Sequence, residues 1–184
     1  MKGKLVFAAA ALSIATSSVF AAGETVVVGG QAMYPSKDIV DNAVNSADHT
    51  TLVAAVKAAG LVDTLKGSGP FTVFAPTNEA FAALPAGTVD TLVKPENKAT
   101  LTSILTYHVL PGRYDFSKLD MAIKAGGGKA SIKTVNGELL TFTENGPRNI
   151  VVADAAGHTA DISTYDVYQS NGVIMVVDKV LMPK

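Results

Sequence analysis

The side chains best suited to acid–base or metal chemistry in this sequence are its three histidines, His49, His108 and His158. Helical zinc sites commonly pair two histidines within one turn, as in His-Glu-x-x-His. No such pair occurs here, so a zinc site would have to be assembled from distant positions. His108 lies on an apolar helical face, which predicts a buried, hydrogen-bonded side chain. We expect His49 to be solvated in a first helical turn and His158 to lie in a hairpin loop.

Nucleophilic catalysis by serine requires a base and an orienting acid close to the hydroxyl. The sequence contains no Gly-x-Ser-x-Gly elbow, and Gly67-Ser68-Gly69-Pro70 lacks the required spacing and is typical of a turn. An unrecognised hydrolase is therefore the least favoured functional hypothesis, and His108 would be its best candidate catalytic group.

The sequence gives no positive indication of a bound metal or cofactor. Asp154, Asp161 and Asp166 do not fit the calcium-binding loop of an EF-hand and are better explained as residues of separate turns. The glycine run 126–128 precedes strand-like residues, so no helix N-terminus is available there for a phosphate. We therefore predict no cofactor and no metal.

Composition removes several further functional classes. The absence of cysteine excludes a disulfide framework, a thiolate metal site and a cysteine nucleophile. The formal net charge of −1 and the lack of a basic block argue against nucleic acid and against an anionic membrane surface as partners. A hydrophobic content of 48% is compatible with a fold held together by its core alone.

The N-terminus has the pattern of a secretory signal peptide. Lys2 and Lys4 are basic, residues 5–15 are apolar, and 19–21 form a small-residue cleavage site. Eleven apolar residues are too few to span a bilayer, which requires roughly 20. We predict a signal peptide at 1–21, a loosely held N-terminal arm at 22–35 and one domain at 36–184. The expected location is secreted or periplasmic, with no membrane span after cleavage.

The elements that must position these residues differ between the two halves of the chain. We expect a helix over 37–44 capped by Ser36, a second ending at Gly60, a third over 61–65 and another after Pro95. Phe71–Phe74 is expected to be a buried strand that stops at Pro76. After residue 112, turn dipeptides at 136–137, 145–146 and 171–172 separate β-rich runs. Helices first and strands second indicate an α+β fold.

Three segments together resemble the fasciclin domain family. GPFTVFAPTNEAF (69–81) is similar to its first signature, LTYHVLPG (105–112) to its central Tyr-His motif, and SNGVIMVVDKVLMP (170–183) to its closing signature. The resemblance implies a wedge of two packed β-sheets, with helices mostly from the N-terminal half. It also implies adhesion or extracellular binding without catalysis or cofactor. Bacterial members are typically secreted or periplasmic single domains.

The resemblance also implies candidate residues for binding a partner, at Tyr107, His108, Asp166 and Val167. The last two match an Asp-Ile pair that some members use to engage adhesion receptors. The family often has a histidine where this chain has Met175, so any polar contact of that histidine is expected to be absent.

Four further residues, Thr77, Asn78, Asn171 and Gly172, are expected to serve the framework. Thr77 and Asn78 follow the strand that ends at Pro76, where their side chains can satisfy free backbone groups. The turn after this strand is therefore interpreted as part of the fold.

The main functional hypothesis is an adhesion or binding protein whose partner is a cell-surface or matrix protein or glycan. The alternative is a module that binds a small molecule or a glycan in a cleft. The sequence does not indicate the identity of the partner or the oligomeric state.

Overall fold

Helices dominate the first half of the described chain and strands the second. A computed structural model describes residues 25–184; the predicted signal peptide at 1–21 lies outside them. The helices are α1 Ile39–Ala43, α2 Thr50–Ala59, α3 Val62–Lys66, α4 Asn78–Ala82, α5 Thr88–Leu92, α6 Lys98–Tyr107 and α7 Phe116–Ala125. The strands are β1 Val26–Val28, β2 Gln31–Met33, β3 Phe71–Pro76, β4 Val109–Pro111, β5 Lys129–Lys133, β6 Leu139–Glu144, β7 Ile150–Ala153, β8 Thr159–Gln169 and β9 Gly172–Val177.

A seven-stranded sheet in the order β4-β3-β9-β8-β7-β6-β5 forms the centre of the molecule. Its strands β3 and β9 run parallel, with Phe71 opposite Gly172 and Pro76 opposite Val177, and its other neighbours are antiparallel. β9 is buried throughout and β3 nearly so, as expected for apolar strands covered on both faces. Pro76 is the last residue of β3 because proline has no amide hydrogen with which to continue the ladder.

Strand β8 divides this sheet into two layers. Its first half pairs with β7, and its pairing with β9 shifts register between Ile162 and Val167. Such bulges bend a strand and increase its twist. The layers face each other across a tilted contact between Phe74 in β3 and Phe142 in β6, whose ring centroids are 5.4 Å apart. The edge strands β4 and β5 are also connected, because the amide of Val135, just after β5, donates to the carbonyl of Val109 in β4 at 2.8 Å. The predicted α+β class and packed sheet layers are confirmed.

Two apolar cores lie on opposite sides of β3 and β9. The helical core lies between these strands and the N-terminal helices and includes Leu52, Val56, Leu105 and Ile174. The barrel core lies between the two sheet layers and α7 and includes Phe74, Phe142, Ile150 and Met175. Alternation along a strand explains the division, since Ile174 and Met175 are neighbours in β9 and point to opposite faces.

The structure differs from the sequence prediction in the arm at 22–35. From residue 25 onwards, β1 and β2 pair as a hairpin, and Val28 and Met33 are buried in the helical core. The carbonyl of Gly29 also accepts a hydrogen bond from the amide of Ala47. This part of the arm is therefore packed against the domain instead of being loosely held.

Two helix predictions also need correction. Asp38, rather than Ser36, caps α1, because its carboxylate accepts from the amide of Asp41 at 2.8 Å. Helix α7 was not predicted, because strand-like residues dominate the sequence after 112. Its signals are present: Asp115 caps it through the amide of Lys118, and Leu119 and Ile123 lie four residues apart on one buried face.

Candidate functional site

The turn after β3 connects two helices through Thr77 and Asn78. The hydroxyl of Thr77 accepts from the amide of Ala80 at 3.2 Å and caps α4. The Asn78 side chain serves a different helix, since its Oδ1 accepts from the amide of Thr51 at 3.0 Å in the first turn of α2. Its Nδ2 donates to the carbonyl of Ala47 at 2.8 Å. These side chains therefore bond backbone groups at the starts of two helices.

The turn between β8 and β9 ends at Asn171, and Gly172 is the first residue of β9. Asn171 is buried; its Oδ1 accepts from the amide of Ile39, and its Nδ2 donates to the carbonyls of Leu65 and Gly67. A Cβ at Gly172 would lie 2.2 Å from the carbonyl oxygen of Phe71. The position accepts only glycine without a shift of the backbone, and Asn171 ties α1 and α3 to the sheet.

Tyr107 of the central motif is fully buried in the barrel core. Its hydroxyl donates to the carbonyl of Leu139 at 3.0 Å and accepts from the amide of Ala155 at 2.8 Å. Burial raises the pKa of this phenol to about 12, against a smaller opposing effect of the Ala155 hydrogen bond. The side chain remains neutral and links α6 to β6 and to the turn after β7.

His108 is also buried, but it faces the other core. Its Nδ1 bonds to the carbonyl of Ile104 at 2.9 Å, and its Nε2 accepts from the amide of Leu181 at 2.9 Å. A carbonyl can only accept, so the hydrogen of the neutral ring is on Nδ1. Burial lowers the pKa of His108 to about 4, although the Ile104 carbonyl and Asp154 oppose this. The predicted buried, hydrogen-bonded histidine is present, and neither ring nitrogen is left for catalysis.

Asp166 lies in the irregular part of β8 with a φ of 56°. Aspartate is among the few residues other than glycine that adopt this left-handed region readily. Its Oδ1 accepts from the amide of Phe116 at 2.7 Å, at the start of α7. Burial raises the pKa of Asp166, more than its hydrogen bond with Phe116 lowers it. The amide of Asp166 donates to the sulfur of Met175 at 3.4 Å, so the methionine makes a polar contact of its own where the family often has a histidine.

Val167 follows in the helical core and is only 1% exposed. Of the four residues expected to bind a partner, three are thus buried, and only Asp166 reaches the surface. No hydrogen bond between described residues joins Tyr107 or His108 to Asp166. Their role in partner binding stays a prediction.

Exposed polar and aromatic groups surround Asp166. Tyr168 is 38% exposed, and its hydroxyl donates to the carboxylate of Asp115 at 3.3 Å. Arg113 is exposed and donates to the carbonyl of Gln169 at 3.2 Å. We call the surface formed by Arg113, Asp115, Asp166 and Tyr168 the α7–β8 face. No local sequence pattern indicates that Arg113 and Asp115 lie beside Tyr168.

Asp154 organises the turn between β7 and β8. Its carboxylate accepts from the amides of Ala156, His158 and Met182 and from the exposed His158 ring at 3.1 Å. Burial alone would raise the pKa of Asp154, but the His158 and Met182 hydrogen bonds together hold it below its ordinary value. The predicted loop position of His158 is confirmed, and Asp154 serves a turn that also anchors the C-terminal segment.

His49 differs from its predicted solvated position, since only 2% of it is exposed. Its Nδ1 pairs with the Ser46 hydroxyl at 2.9 Å, while its Nε2 has no hydrogen bond of regular geometry within residues 25–184. Burial lowers the pKa of His49 against smaller effects of the Ala75 backbone and Asp48. Spacing could have revealed this burial, because His49, Leu52 and Val56 share a helical face. The serine is equally buried, which leaves this Ser–His pair without access to a substrate.

No group of three or more potential metal ligands comes together among the described residues. Within 25–184, no helix combines the length and apolar character needed to cross a membrane.

Comparisons with known proteins agree with this architecture. The family model described as "Fasciclin domain" matches residues 47–183. "Protein sll1483" of Synechocystis is 44% identical over 177 residues, covering 96% of this chain and 91% of the relative. "Cell surface glycolipoprotein MPB83" of Mycobacterium bovis is 37% identical over 161 residues, covering 85% of this chain and 64% of the relative.

A solved FAS1 domain pair from the insect cell adhesion molecule Fasciclin I superposes with a TM-score of 0.71 at 18% identity. The match covers 79% of this chain and 51% of that structure, so the chain spans about half of the pair. At this identity the likeness establishes the fold alone.

Proposed function

The chain belongs to the fasciclin domain family, and on that basis we propose that it is a secreted or periplasmic adhesion protein without catalytic activity. Its partner would be a protein or glycan of the cell surface, matrix or envelope. The match over 47–183 carries this proposal. A relative named for the cell surface, MPB83, supports the location.

The side chains best suited to catalysis are buried and form hydrogen bonds within the protein, which supports a non-catalytic role. Both nitrogens of His108 are bonded to backbone, and the hydroxyl of Tyr107 is enclosed by two backbone groups. Ser46 and His49 are buried as a pair. Neither His108 nor the Ser46–His49 pair therefore has the free, exposed group that catalysis would require.

We place the partner-binding surface on the α7–β8 face. Arginine and tyrosine are enriched in protein interfaces and among the residues that dominate binding energy, and this face exposes one of each. Asp166 contributes to it directly. Tyr107, His108 and Val167 would act indirectly, by holding α6 and β8 in place beneath this surface.

A capture experiment tests this assignment. Purified protein is immobilised and exposed to envelope and culture-medium fractions of the producing organism, beside Tyr168→Ala and Asp166→Asn. Asparagine tolerates the left-handed conformation and keeps an acceptor oxygen, so Asp166→Asn removes mainly the charge. Tyr34→Ala is the matched control, because Tyr34 is 46% exposed and lies outside this face.

A specific partner that binds the wild type and Tyr34→Ala but is lost with Tyr168→Ala would support both the function and the face. A partner that binds all variants equally would support adhesion and reject the face. If an immobilised unrelated protein captures every component as well as the wild type does, the binding is not specific and the adhesion proposal is rejected.

The alternative, a small-molecule or glycan module, has one structural observation in its favour, an apolar cavity beneath the N-terminal helices. A glycan requires polar groups in its site, and this cavity supplies almost none. The cavity suits a different class of ligand.

A further inference from the structure

A cavity lies between helices α1, α2 and α3 and the sheet. Its inner wall is formed by buried residues, among them Val73, Leu105, His108 and Ile174. Its outer part is lined by the partly exposed residues Ala43, Val53 and Val62. We call this space the helix cavity. It runs from the surface between the helices to the face of β3 and β9.

The helix cavity has room for a guest but nothing to hold water. The volume accessible to the centre of a water molecule inside it is about 40 Å³. By the same measure, one water molecule requires only roughly 10–15 Å³. A buried water also needs about two to four polar partners. The histidine in the wall offers none, because both nitrogens of His108 are bonded to backbone. Apolar cavities of this kind stay dry and take up apolar guests.

One charged residue marks the outer end of the helix cavity. Lys57 is exposed, lies in the last turn of α2 and lines the cavity. It takes part in no ion pair among the described residues. Lysine can lay its apolar stem along an apolar surface while its ammonium group stays in water. This places a free positive charge at the mouth of an apolar slot.

We propose that the helix cavity binds the alkyl chain of a free fatty acid, with the carboxylate paired to Lys57 at the mouth. The apolar wall selects the chain, and the positive charge selects an anionic head group over a neutral or cationic one. The enclosed part is smaller than the roughly 300–1,000 Å³ typical of pockets for drug-sized ligands. This limits the buried portion to a narrow, unbranched chain. The site goes beyond the adhesion role and does not depend on it.

Calorimetric titration of the purified protein with hexanoate, octanoate, decanoate and dodecanoate tests the proposal. Each additional methylene should tighten binding by about fourfold until the enclosed space is filled, after which affinity should level off. Decanol and decyltrimethylammonium carry a comparable chain with a neutral or cationic head. Both should bind more weakly than decanoate.

Two variants locate the ligand. Val53→Phe narrows the mouth and should weaken decanoate binding by about tenfold or more, whereas Ala54→Phe, on the exposed side of the same helix, should leave it unchanged. Lys57→Glu should weaken decanoate but leave decanol unchanged. Lys94→Glu makes the same charge change at an exposed lysine outside the cavity and should affect neither.

A structural readout keeps the test independent of variant stability. In the wild-type protein, nuclear Overhauser effects should connect the decanoate methylenes to the methyl groups of Leu105 and Ile174. Absence of saturable binding throughout the series would overturn the proposal. So would saturable binding whose contacts exclude both of these residues.

Discussion

The ring of His108 connects the end of α6 to the C-terminal segment, because its Nε2 accepts the amide of Leu181, 73 residues further along the chain, at 2.9 Å. Its Nδ1 donates to the carbonyl of Ile104 one turn earlier in the same helix. The bond from Leu181 requires the neutral ring, whereas Nδ1 would still donate to Ile104 if the ring were protonated. Protonation of Nε2 would remove the acceptor and place a charge in a fully buried site.

We therefore predict that the protein loses stability in mild acid. The unfolded chain binds a proton on His108 near pH 6.5, whereas the folded chain resists protonation down to about pH 4. The unfolded state thus binds more protons in this window, and the free energy of unfolding falls as the pH is lowered. The expected loss is up to about 3 kcal/mol, and the lowered pKa of His49 acts in the same direction. Urea denaturation at a series of pH values between about 7 and 4 measures this.

The variant His108→Gln separates this effect from general acid sensitivity. An amide side chain does not titrate, so the variant should be less stable at neutral pH but should show a shallower decline between about pH 6.5 and 4. An unchanged slope in His108→Gln would assign the acid sensitivity to other groups.

Asn78→Ala should destabilise the protein by about 1–2 kcal/mol. The substitution removes the Oδ1 acceptor, which serves the amide of Thr51 and the hydroxyl of Thr50, and the Nδ2 donor to the carbonyl of Ala47. Equilibrium denaturation measures the change. A loss below about 0.3 kcal/mol would show that water replaces these hydrogen bonds.

The variant Asn78→Asp distinguishes the bonds that Asn78 accepts from the one that it donates. A carboxylate keeps the acceptor and is favourable beside a helix N-terminus, but it cannot donate to Ala47. We expect its stability to lie between those of the wild type and Asn78→Ala. If both variants are equally destabilised, the bond to Ala47 supplies the whole effect.

Much of the fold could be predicted because the residues that end helices and form turns lie between segments whose apolar residues are buried as their spacing predicts. Gly60 ends α2 in the left-handed conformation, and Asn136 and Asn145 begin the turns that join β5 to β6 and β6 to β7. Helix α7 was missed although its cap and apolar spacing are local signals, whereas the short strand β4 was missed because its pairing with β3 is not local. The hairpin of β1 and β2 was missed because Val28 and Met33 are stabilised by the helical core.

The site was harder to predict because burial decides the role of each residue. The spacing of His108 on an apolar face correctly predicts its burial, whereas the burial of His49 was missed although its spacing from Leu52 is also helical. Nothing in the sequence shows that Tyr107 and His108 would face different cores. The contact between Asp166 and Met175 depends on the irregular pairing of β8 with β9, which no local pattern encodes.

Gly172→Ala should cost at least about 2 kcal/mol. The new methyl group would lie 2.2 Å from the carbonyl oxygen of Phe71 and 2.9 Å from Cδ1 of Ile39, so β3 and β9 would have to separate locally. Gly30→Ala is the control for backbone strain alone. Its φ is +74°, its surroundings are open, and it should cost about 1 kcal/mol. Thermal denaturation compares the two, and an equal loss would argue against the steric explanation.

Met175→Leu should destabilise the protein although the two side chains have similar volumes. The sulfur of Met175 accepts the amide of Asp166, which the left-handed turn in β8 directs into the barrel core, and leucine leaves that amide without an acceptor. A swap between these residues usually costs less than about 1.5 kcal/mol, and an unsatisfied buried amide adds about 1 kcal/mol.

Met33→Leu is the matched control, because Met33 is buried in the other core and its sulfur makes no hydrogen bond within residues 25–184. Chemical denaturation should show Met175→Leu to be the more destabilised by about 1 kcal/mol, and amide hydrogen exchange should be faster at Asp166 in that variant alone. Equal stability of the two variants, with unchanged exchange at Asp166, would mean that the sulfur contact contributes nothing and that β8 holds its bulge through the bond from Phe116 to Asp166.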